Sequence, residues 1–346
     1  MSEETATTVP AKKTAKDFAS DQDVKWCPGC GDYAILAQVQ RIFPDLNVPK
    51  ENYVFVSGIG CSSRFTYYMD TFGVHSIHGR AACVASGVRA TNRDLDVWLI
   101  SGDGDSLSIG GNHFIHLMRR NFEIKYLMFN NQIYGLTKGQ YSPASEKGIK
   151  TKSTPMGSVD EPFNPLELAI GAKSTFVARS LDRDPKHQQF VIKRAHEHKG
   201  TAFVEIYQNC PVFNDGAFFT YTEKETKKEE CLFLEHGKPL IYGTNNEHGI
   251  KLEGTKPVIV DLAGGASAEG LWIHDEGDRM KAMILAGMFD NPAHAGHMPR
   301  PFGVFYQEKR STYEDDLHAQ IEEAKAKKGK TSLDNILSGD KTWVIA

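Results

Sequence analysis

The chain has 346 residues, of which 40% are hydrophobic, so it can form one large α/β domain or two smaller ones. Its 40 basic and 44 acidic residues give a net charge of −4 without a basic block, and no apolar run reaches the roughly 18 residues that cross a bilayer. Residues 1–20 lack the apolar stretch of a secretory signal. We therefore expect a cytoplasmic protein that binds neither nucleic acid nor a membrane, with residues 1–20 forming a disordered polar arm.

Four short runs rich in β-branched and aromatic residues are predicted to be buried strands. They span residues 53–57, 96–101, 124–129 and 202–207. Helical patterns alternate with these strands, at residues 32–41, 81–92, 110–119, 165–170 and 185–198. The last helix begins with Asp184 as its N-cap and Pro185 at its first position. Strands that alternate with helices predict an α/β fold with a doubly wound, mostly parallel sheet.

The charged run TEKETKKEE at residues 222–230 is predicted to end the main domain, which then spans residues 21–221. Residues 222–346 are predicted to form a C-terminal extension that packs on the core or on a partner subunit. Within the extension, the sequence predicts helices at 275–288 and 315–330 and a strand or extended segment at 257–262. The segment MPRPFGVFY, at 298–306, is predicted to lie as extended chain over another surface.

The most informative feature is a pair of loops that follow the second and third predicted strands. Asp103 lies in SGDGDSLSIGGNH, and Asn131 lies in FNNQIYGLTKGQ, 28 positions further on. A strand–helix–strand unit of this length returns its second loop beside its first, at the carboxyl edge of a parallel sheet. One carboxylate, one amide oxygen and nearby carbonyls suit Mg²⁺, and Gly102 and Gly104 let the backbone approach a diphosphate. The pair, GDG followed by NN, resembles the thiamine-diphosphate motif; the alternative is two turns flanking an ordinary βαβ unit.

Six cysteines in a cytoplasmic protein are more often thiols or metal ligands than disulfides. Cys27 and Cys30 have the two-residue spacing that lets two thiolates bind one metal, whereas Cys61 and Cys210 lie in loops that follow strands. These four cysteines could complete one metal site, and the residues alone leave zinc and iron–sulfur both open. A redox dithiol is disfavoured because a polar arm, not a strand, precedes the motif. Cys83 is expected to be a small buried apolar residue.

Six segments in one order carry a resemblance to a known family: WCPGCGDYAIL, SGIGCSSRF, HSIHGRA, GDGDSLSIGGNHFIHLMRRN, NNQIYGLTKGQYSP and CPVFN. Over residues 26–214 the chain resembles the β subunit of the 2-oxoacid:ferredoxin oxidoreductases, and it best fits the 2-oxoglutarate type. The resemblance implies coenzyme A-dependent oxidative decarboxylation of 2-oxoglutarate to succinyl-CoA and CO₂. It also implies that electrons pass through one 4Fe–4S cluster to ferredoxin, in a reaction that can run toward CO₂ fixation.

The resemblance further implies which residues form the sites. The implied 4Fe–4S ligands are Cys27, Cys30, Cys61 and Cys210, and the implied Mg²⁺ ligands are Asp103, Asn131 and the carbonyl of Ile133. The residues implied to bind thiamine diphosphate are Gly60, Ser62, Ser63, His78, Gly102, Asp103, Gly104, Asp105, Asn131, Ile133, Tyr134, Gly135 and Leu136. Cys83 and Cys231 match no ligand position.

Substrate and partners follow from the same resemblance. Arg64 and Lys138 lie in the loops predicted to carry cofactors and are candidates for binding the second carboxylate of 2-oxoglutarate, unless they are surface or subunit-contact charges. His78 is a candidate for diphosphate binding or proton relay, or has a structural role. The implied partners are an α subunit in an α2β2 assembly, which supplies the activating glutamate, and ferredoxin. The alternatives are an enzyme for pyruvate or another 2-oxoacid, a non-redox thiamine-dependent decarboxylase subunit, and a non-catalytic scaffold.

Overall fold

The fold is described here from a computed structural model, which covers residues 13–265, 267–288, 298–329, 331–340, 342, 343 and 345. The strands, numbered in chain order, are β1 (Tyr53–Ser57), β2 (Phe72–His75), β3 (Asp96–Gly102), β4 (Ile124–Asn130), β5 (Ile133–Tyr134), β6 (Gln140–Tyr141), β7 (Phe176–Leu181), β8 (Ala202–Tyr207), β9 (Cys231–Phe233), β10 (Ile241–Tyr242), β11 (His248–Glu253), β12 (Lys256–Asp261) and β13 (Arg300–Gln307).

The helices pack around these strands. They are α1 (Asp32–Ile42), α2 (Phe65–Tyr68), α3 (Ala81–Thr91), α4 (Asp103–Leu107), α5 (Gly111–Arg120), α6 (Pro165–Gly171), α7 (Pro185–Glu197), α8 (Phe219–Thr222), α9 (Lys227–Glu230), α10 (Arg279–Gly287), α11 (Tyr313–Lys328) and α12 (Leu333–Ser338). Short 3₁₀ turns span Ala15–Phe18, Phe43–Asp45, Lys50–Asn52 and Ser62–Arg64. In the described part of the chain, no helix combines the length and the apolar character that a bilayer crossing requires.

The central sheet has eight strands in the order β2-β1-β3-β4-β8-β7-β13-β9. The first six are parallel to one another, and β13 runs antiparallel to β7. Every residue of β1, β4, β7 and β8 is buried, as expected for parallel strands covered on both faces. The predicted α/β class and doubly wound, mostly parallel sheet are confirmed.

Side chains of each central strand point alternately to two hydrophobic layers. In β3, Val97 and Leu99 pack with helices α3, α5 and α6 on one face, whereas Trp98 and Ile100 pack with α1 and α7 on the other. The strands and the helices between them were predicted to within one residue at each boundary. The crossover helices therefore sandwich the sheet and leave its carboxyl edge open.

Four strands of this sheet, β2, β7, β9 and β13, were not predicted as strands. Arg179 lies in the middle of β7, and β2 is a largely exposed edge strand, so neither has the apolar pattern of a buried strand. The segment 298–306 was predicted to lie as extended chain over another surface. It is extended, but residues 300–306 belong to β13, which pairs with both β7 and β9, so the segment is part of the sheet and does not cover it. Pro299 just before the strand and Pro301 within it conceal a strand whose interior is buried.

The predicted chain ends also differ from the structure. Residues 1–12 of the predicted disordered arm lie outside the described residues, but residues 13–20 are held to the core through Phe18. Phe18 is fully buried and its ring contacts those of Phe43 and Tyr53 at centroid distances of 5.5 and 5.9 Å. The C-terminal extension supplies β9 and β13 to the central sheet and forms a separate three-stranded sheet, β10-β11-β12. The extension therefore completes the main sheet as well as packing on it.

A buried ion pair links two neighbouring strands of the sheet. Arg179 of β7 and Glu205 of β8 are register partners, with Nε and Oε2 2.6 Å apart and side chains 1% and 0% exposed. The other carboxylate oxygen of Glu205 accepts a hydrogen bond of 2.7 Å from Asn130. Because the pair is fully desolvated, loss of one partner leaves a buried charge without its counter-ion.

We expect Arg179→Met to lower the free energy of unfolding by about 3–5 kcal/mol, because Glu205 stays buried and charged. The double variant Arg179→Met/Glu205→Met should lose less than the single variant. The control is Lys147→Met, at an exposed pair with Glu161, where a change below about 1 kcal/mol is expected. Equilibrium unfolding in urea measures all three, and a double variant that is less stable than the single one would contradict the expectation.

Candidate functional site

The loops after β1, β3, β4 and β8 meet at the carboxyl edge of the sheet, where they form two cavities that share four lining residues. The first cavity has a volume of about 370 Å³ and is lined by Ile59, Gly60, Cys61, Ser62, His78, Gly102, Asp103, Gly104, Asp105, Asn131, Ile133, Tyr134, Gly135, Leu136, Thr137 and Gln140. The second has a volume of about 260 Å³ and is lined by Lys25, Trp26, Cys27, Cys30, Cys61, Arg64, Asn131, Gly135, Leu136, Lys138, Gln208, Cys210, Pro211, Val212 and Phe213.

Asp103 is the most deeply placed acid of the first cavity. It follows β3 directly and is 2% exposed. Burial raises the pKa of its carboxyl to about 7. Hydrogen bonds from the Ser142 hydroxyl, at 2.5 Å, and from backbone N–H groups, including that of Asn131, lower this pKa but do not offset the effect of burial. None of the ion pairs between described residues involves Asp103. Since a buried carboxylate needs a cation or a proton, this position fits a metal ligand.

Asn131 follows β4 and lies beside Asp103, as the loop spacing predicted. Its side-chain oxygen accepts a hydrogen bond from the backbone N–H of Ile133 at 3.1 Å, and its Nδ2 donates to Gln208 at 2.8 Å. Ile133 is buried and lines the same cavity. Asp103, Asn131 and Ile133 therefore line one cavity, and carboxylate, amide and carbonyl oxygens are the ligands that a hard cation such as Mg²⁺ prefers.

Glycines let the backbone pass close to other groups in this cavity. A Cβ on Gly104 would lie 2.3 Å from the ring of Tyr134, whose hydroxyl donates to the Gly104 carbonyl at 3.0 Å. A Cβ on Gly102 would lie 3.3 Å from Oγ of Ser62. The GDG segment therefore tolerates no larger residue at its second glycine, and its backbone faces the space in which a diphosphate is predicted.

Asp105, predicted to bind the cofactor, has an internal role as well as lining the cavity. Its carboxylate accepts hydrogen bonds from the backbone N–H groups of Ile59 and Gly79, at 3.0 and 2.7 Å, and from the Ser101 hydroxyl at 2.5 Å. The Nδ1 atom of His78 lies 2.5 Å from the same carboxylate. Asp105 thus ties three loops together and fixes the ring of His78 at the cavity wall.

The structure gives the positions of three further predicted site residues and of Cys83. Ser63 does not line the first cavity: the 3₁₀ turn Ser62–Arg64 directs its side chain inward, where its hydroxyl is fully buried. Arg64 and Lys138 line the second cavity, beside the cysteines, and not the first. Cys83 is exposed on α3, so the expectation of a buried residue is wrong.

The four cysteines of the predicted metal site all line the second cavity, and all are free thiols. Cys27 and Cys30 occupy the turn before α1, Cys61 precedes the turn Ser62–Arg64, and Cys210 follows β8. Gly135 lies between two of them: a Cβ there would be 3.5 Å from the sulfur of Cys61 and 3.8 Å from that of Cys210. The fold therefore brings four thiols from three separate segments to one cavity.

The spacing of the thiols distinguishes between metal types. Tetrahedral zinc, with Zn–S distances of about 2.3 Å, holds its sulfur ligands within about 4 Å of one another. Among the described residues, only Glu229, Glu247 and His248 form a set of three ligating side chains whose ligand atoms lie within 4.8 Å of one another. No three of the four thiols meet that distance, so the second cavity does not have the compact ligand spacing of a tetrahedral zinc site.

The electrostatic state of the thiols also calls for a cation. Burial raises the pKa of the Cys61 thiol to about 12 and raises that of Cys30, and the nearby carboxyl of Asp32 adds to both. Thiolates are the metal-binding form, so a cationic centre has to supply the free energy that ionises them. A metal centre in the second cavity would therefore need enough positive charge to ionise these thiols.

Sequence reasoning missed three polar residues of the site. Ser142 bonds to Asp103 from a distant loop, and Asp32 lies buried beside Cys30. Gln208 is 1% exposed and its amide contacts both Asn131 and Cys30. A signal for Gln208 was present, because it is the first residue after a predicted strand, two positions before Cys210.

Comparison with known proteins agrees with this geometry. A family model described as "Thiamine pyrophosphate enzyme, C-terminal TPP binding domain" matches residues 58–206. The chain is 46% identical to the 2-oxoglutarate oxidoreductase subunit KorB of Mycobacterium tuberculosis over 349 residues, which cover 98% of this chain and 90% of that protein. It is 45% identical to the 2-oxoacid:ferredoxin oxidoreductase 1 subunit beta of Aeropyrum pernix over 190 residues, which cover 55% of this chain and 60% of that protein.

A solved structure is similar over almost the full chain. It is the 2-oxoglutarate:ferredoxin oxidoreductase from Magnetococcus marinus with 2-oxoglutarate, coenzyme A and succinyl-CoA bound, and it has 32% sequence identity and a TM-score of 0.75. The similarity covers 95% of this chain and 97% of that one. The chain is 46% identical to a curated member over 98% of its length, and the thiamine-pyrophosphate family model matches its sheet. The chain therefore belongs to the β subunits of the 2-oxoacid:ferredoxin oxidoreductases.

Proposed function

We propose that this chain is the β subunit of a 2-oxoglutarate:ferredoxin oxidoreductase, which converts 2-oxoglutarate and coenzyme A to succinyl-CoA and CO₂ and passes the electrons to ferredoxin. The observation that carries the proposal is the shared wall of the two cavities. Residues Cys61, Asn131, Gly135 and Leu136 line both the cavity of Asp103 and the cavity of the four cysteines. The proposed cofactor site and the proposed redox site would therefore lie side by side.

In the first cavity, Asp103, Asn131 and the carbonyl of Ile133 would hold Mg²⁺, and the glycine-lined backbone around Gly102 and Gly104 would face the diphosphate of thiamine diphosphate. When bound, this cofactor supplies the electron sink that decarboxylation of a 2-oxoacid requires. The side chains of Ile59 and Ile133 would form an apolar part of the cavity wall, and the Asp105 carboxylate would keep His78 oriented at its rim.

In the second cavity, Cys27, Cys30, Cys61 and Cys210 would ligate one 4Fe–4S cluster. Their separation and their lack of disulfides fit such a cluster, and no ferredoxin-like run of closely spaced cysteines is present in the sequence for a second one. Electrons would leave from this cluster to ferredoxin. The exposed Cys27 and the exposed side chains of Val212 and Phe213 place the cavity at the protein surface, where a carrier can approach.

The chain requires a second subunit in this proposal. None of the described residues that line the first cavity is a glutamate, whereas activation of thiamine diphosphate requires one. We infer that an α subunit supplies it, in an α2β2 enzyme located in the cytoplasm. Arg64 and Lys138 are the candidates for the distal carboxylate of 2-oxoglutarate, because they place two positive charges beside the wall that the cavities share.

The redox step is tested by iron analysis of the anaerobically purified enzyme with its α subunit. We expect four iron atoms per β chain in the wild type, given one 4Fe–4S cluster. Cys210→Ser should lose cluster absorbance near about 400 nm, whereas Cys83→Ser, at an exposed cysteine outside the cavities, should retain it. A colourless, iron-free wild-type enzyme that still decarboxylates a 2-oxoacid would indicate the non-redox thiamine-dependent decarboxylase subunit instead.

The magnesium site is tested with Asp103→Asn. We expect the dissociation constant of thiamine diphosphate in the presence of Mg²⁺ to rise at least about 100-fold, which corresponds to about 2.7 kcal/mol. Because burial raises the pKa of Asp103, its ionised form costs stability above that pKa, and the substitution should raise the melting temperature of the cofactor-free enzyme near about pH 8.

Isothermal titration calorimetry and thermal denaturation measure these two effects. The control is Asp160→Asn, at an exposed carboxylate that accepts a hydrogen bond from Tyr141. Unchanged cofactor binding by Asp103→Asn would contradict the assignment.

Substrate preference is tested with Lys138→Ala. Loss of a charge-assisted contact worth about 1.5–3 kcal/mol should lower kcat/KM for 2-oxoglutarate by about 10- to 100-fold. Activity with pyruvate, which lacks the second carboxylate, should change little, and Lys152→Ala should leave both substrates unaffected. Steady-state kinetics with both substrates measure these effects. If Lys138→Ala keeps the wild-type kcat/KM for 2-oxoglutarate, Lys138 does not bind the substrate. If the wild type prefers pyruvate, the pyruvate alternative is favoured.

A further inference from the structure

Gln208 is a buried residue that the reaction described above does not use. It is 1% exposed and follows β8 directly. In the pairing of β4 with β8, Asn130 is the partner of Tyr207, and the backbone N–H of Gln208 donates to the Asn130 carbonyl at 2.9 Å. The register therefore places Gln208 beside Asn131, at the end of the two strands.

The side-chain amide of Gln208 contacts both candidate sites. Its Oε1 accepts a hydrogen bond from Nδ2 of Asn131 at 2.8 Å. Its Nε2 donates to Sγ of Cys30 at 3.2 Å and also to the carbonyl of Asn209. An amide is the side-chain group that offers one strong acceptor and two donors in a fixed plane. Gln208 thus uses its acceptor toward the predicted magnesium ligand and its donors toward the predicted cluster ligand and the backbone.

The local backbone leaves room for this bridge. A Cβ at Gly31, next to Cys30, would lie 2.9 Å from Cγ of Gln208 and 2.0 Å from the carboxylate of Asp182. Any other residue at Gly31 would therefore displace the Gln208 side chain or the turn that carries Cys30. The Gly31 backbone N–H donates to the Asn209 carbonyl at 3.1 Å, which ties that turn to the end of β8.

We propose that Gln208 is a positioning residue that serves the magnesium–thiamine diphosphate site and the iron–sulfur site at once. This inference rests on the proposed function. On the magnesium side, the bond to Nδ2 of Asn131 fixes the amide plane and leaves Oδ1 as the atom available to the ion. That oxygen already accepts from the Ile133 N–H, and a carbonyl oxygen has a second lone pair for a metal. Residues that orient metal ligands in this way typically alter metal affinity by about 10- to 100-fold.

On the cluster side, the Nε2–H group of Gln208 points at the sulfur of Cys30. A hydrogen bond to a ligating sulfur stabilises the form of the cluster with more negative charge, which is the reduced form, and so raises the reduction potential. The contact is buried, where such a bond is stronger than in water. Removal of the donor should therefore lower the potential without loss of a ligand.

Because one amide makes both contacts, the two sites are coupled through it. An ion bound at Oδ1 of Asn131 polarises the Asn131 N–H toward Gln208, and Gln208 in turn becomes a better donor to Cys30. The magnesium-bound enzyme should therefore have the higher cluster potential. By linkage, reduction of the cluster should tighten binding at the magnesium site by the same factor.

The test uses the complete enzyme with its α subunit and the variant Gln208→Met, which keeps the side-chain length but has neither donor nor acceptor. Two quantities are measured: the dissociation constant of thiamine diphosphate with Mg²⁺, by calorimetry, and the cluster midpoint potential without substrate, by a redox titration followed by EPR. We expect the dissociation constant to rise about 10-fold or more. At a fixed applied potential, we expect the ratio of reduced to oxidised cluster to fall by up to about tenfold. This corresponds to a midpoint potential that is lower by up to about 59 mV for a one-electron couple.

The matched control is Gln188→Met, a fully buried glutamine of α7 that does not line either cavity. This control should leave both quantities unchanged. The shift in midpoint potential that accompanies addition of Mg²⁺ and thiamine diphosphate should be smaller in Gln208→Met than in the wild type. A Gln208→Met enzyme with full iron content, wild-type cofactor affinity and wild-type potential overturns the inference.

A second variant, Gln208→Glu, tests the inference if Gln208→Met does not assemble its cluster. Gln208→Glu keeps an acceptor for Asn131, and its ionised form has no donor for Cys30; because burial raises carboxyl pKa values at this edge, its midpoint potential is followed from about pH 7 to about pH 10, so that the ionised form is included. We expect its cofactor dissociation constant to stay within about threefold of wild type while the potential falls, and an unchanged potential contradicts the inference. A wild type without iron or without cofactor binding refutes the proposed function itself, so the two failures are distinguishable.

Discussion

The parallel register of β3, β4 and β8 is the constraint on which the rest of the site depends. Gly102 pairs with Phe129, and Asn130 pairs with Tyr207, so the first residues after each strand are neighbours at one edge. The buried strands fix this register because a shift by one residue would turn every side chain to the opposite layer. The hydrophobic packing of the buried strands therefore determines where the polar residues at this edge lie.

This edge concentrates acidic groups whose charged forms are disfavoured by burial. Burial raises the pKa values of Asp103 and Cys61 to about 7 and about 12, so both groups resist ionisation in the cofactor-free chain. A cation at either position restores the charged form and returns the free energy that burial costs. Occupancy of either cavity by a cation should therefore stabilise the fold as well as enable the reaction. Binding and folding stability are linked at the same residues.

The sequence predicted those strands and helices that are determined by patterns among neighbouring residues. Buried strands such as β4 are continuous apolar runs, α7 has an N-cap and proline signal, and the 28-residue spacing of Asp103 and Asn131 predicted that they meet. The sequence did not reveal β7 or β13, because a buried arginine and two prolines interrupt their patterns and only pairing with neighbouring strands stabilises them. The position of Lys138 beside the cysteines also depends on a tertiary turn rather than on chain distance.

That turn explains why the two cavities adjoin. The hairpin of β5 and β6 lies between them, and residues within and beside it adopt left-handed backbone conformations: Gln132 has φ 55° and Lys138 has φ 77°. Such conformations are costly for residues other than glycine and persist only where surrounding contacts hold them. Here the contacts are the Tyr134 hydroxyl on the Gly104 carbonyl and the close approach of Gly135 to two cysteine sulfurs. The hairpin is thus held from both sides, and a change that relaxed it would move the walls of both cavities together.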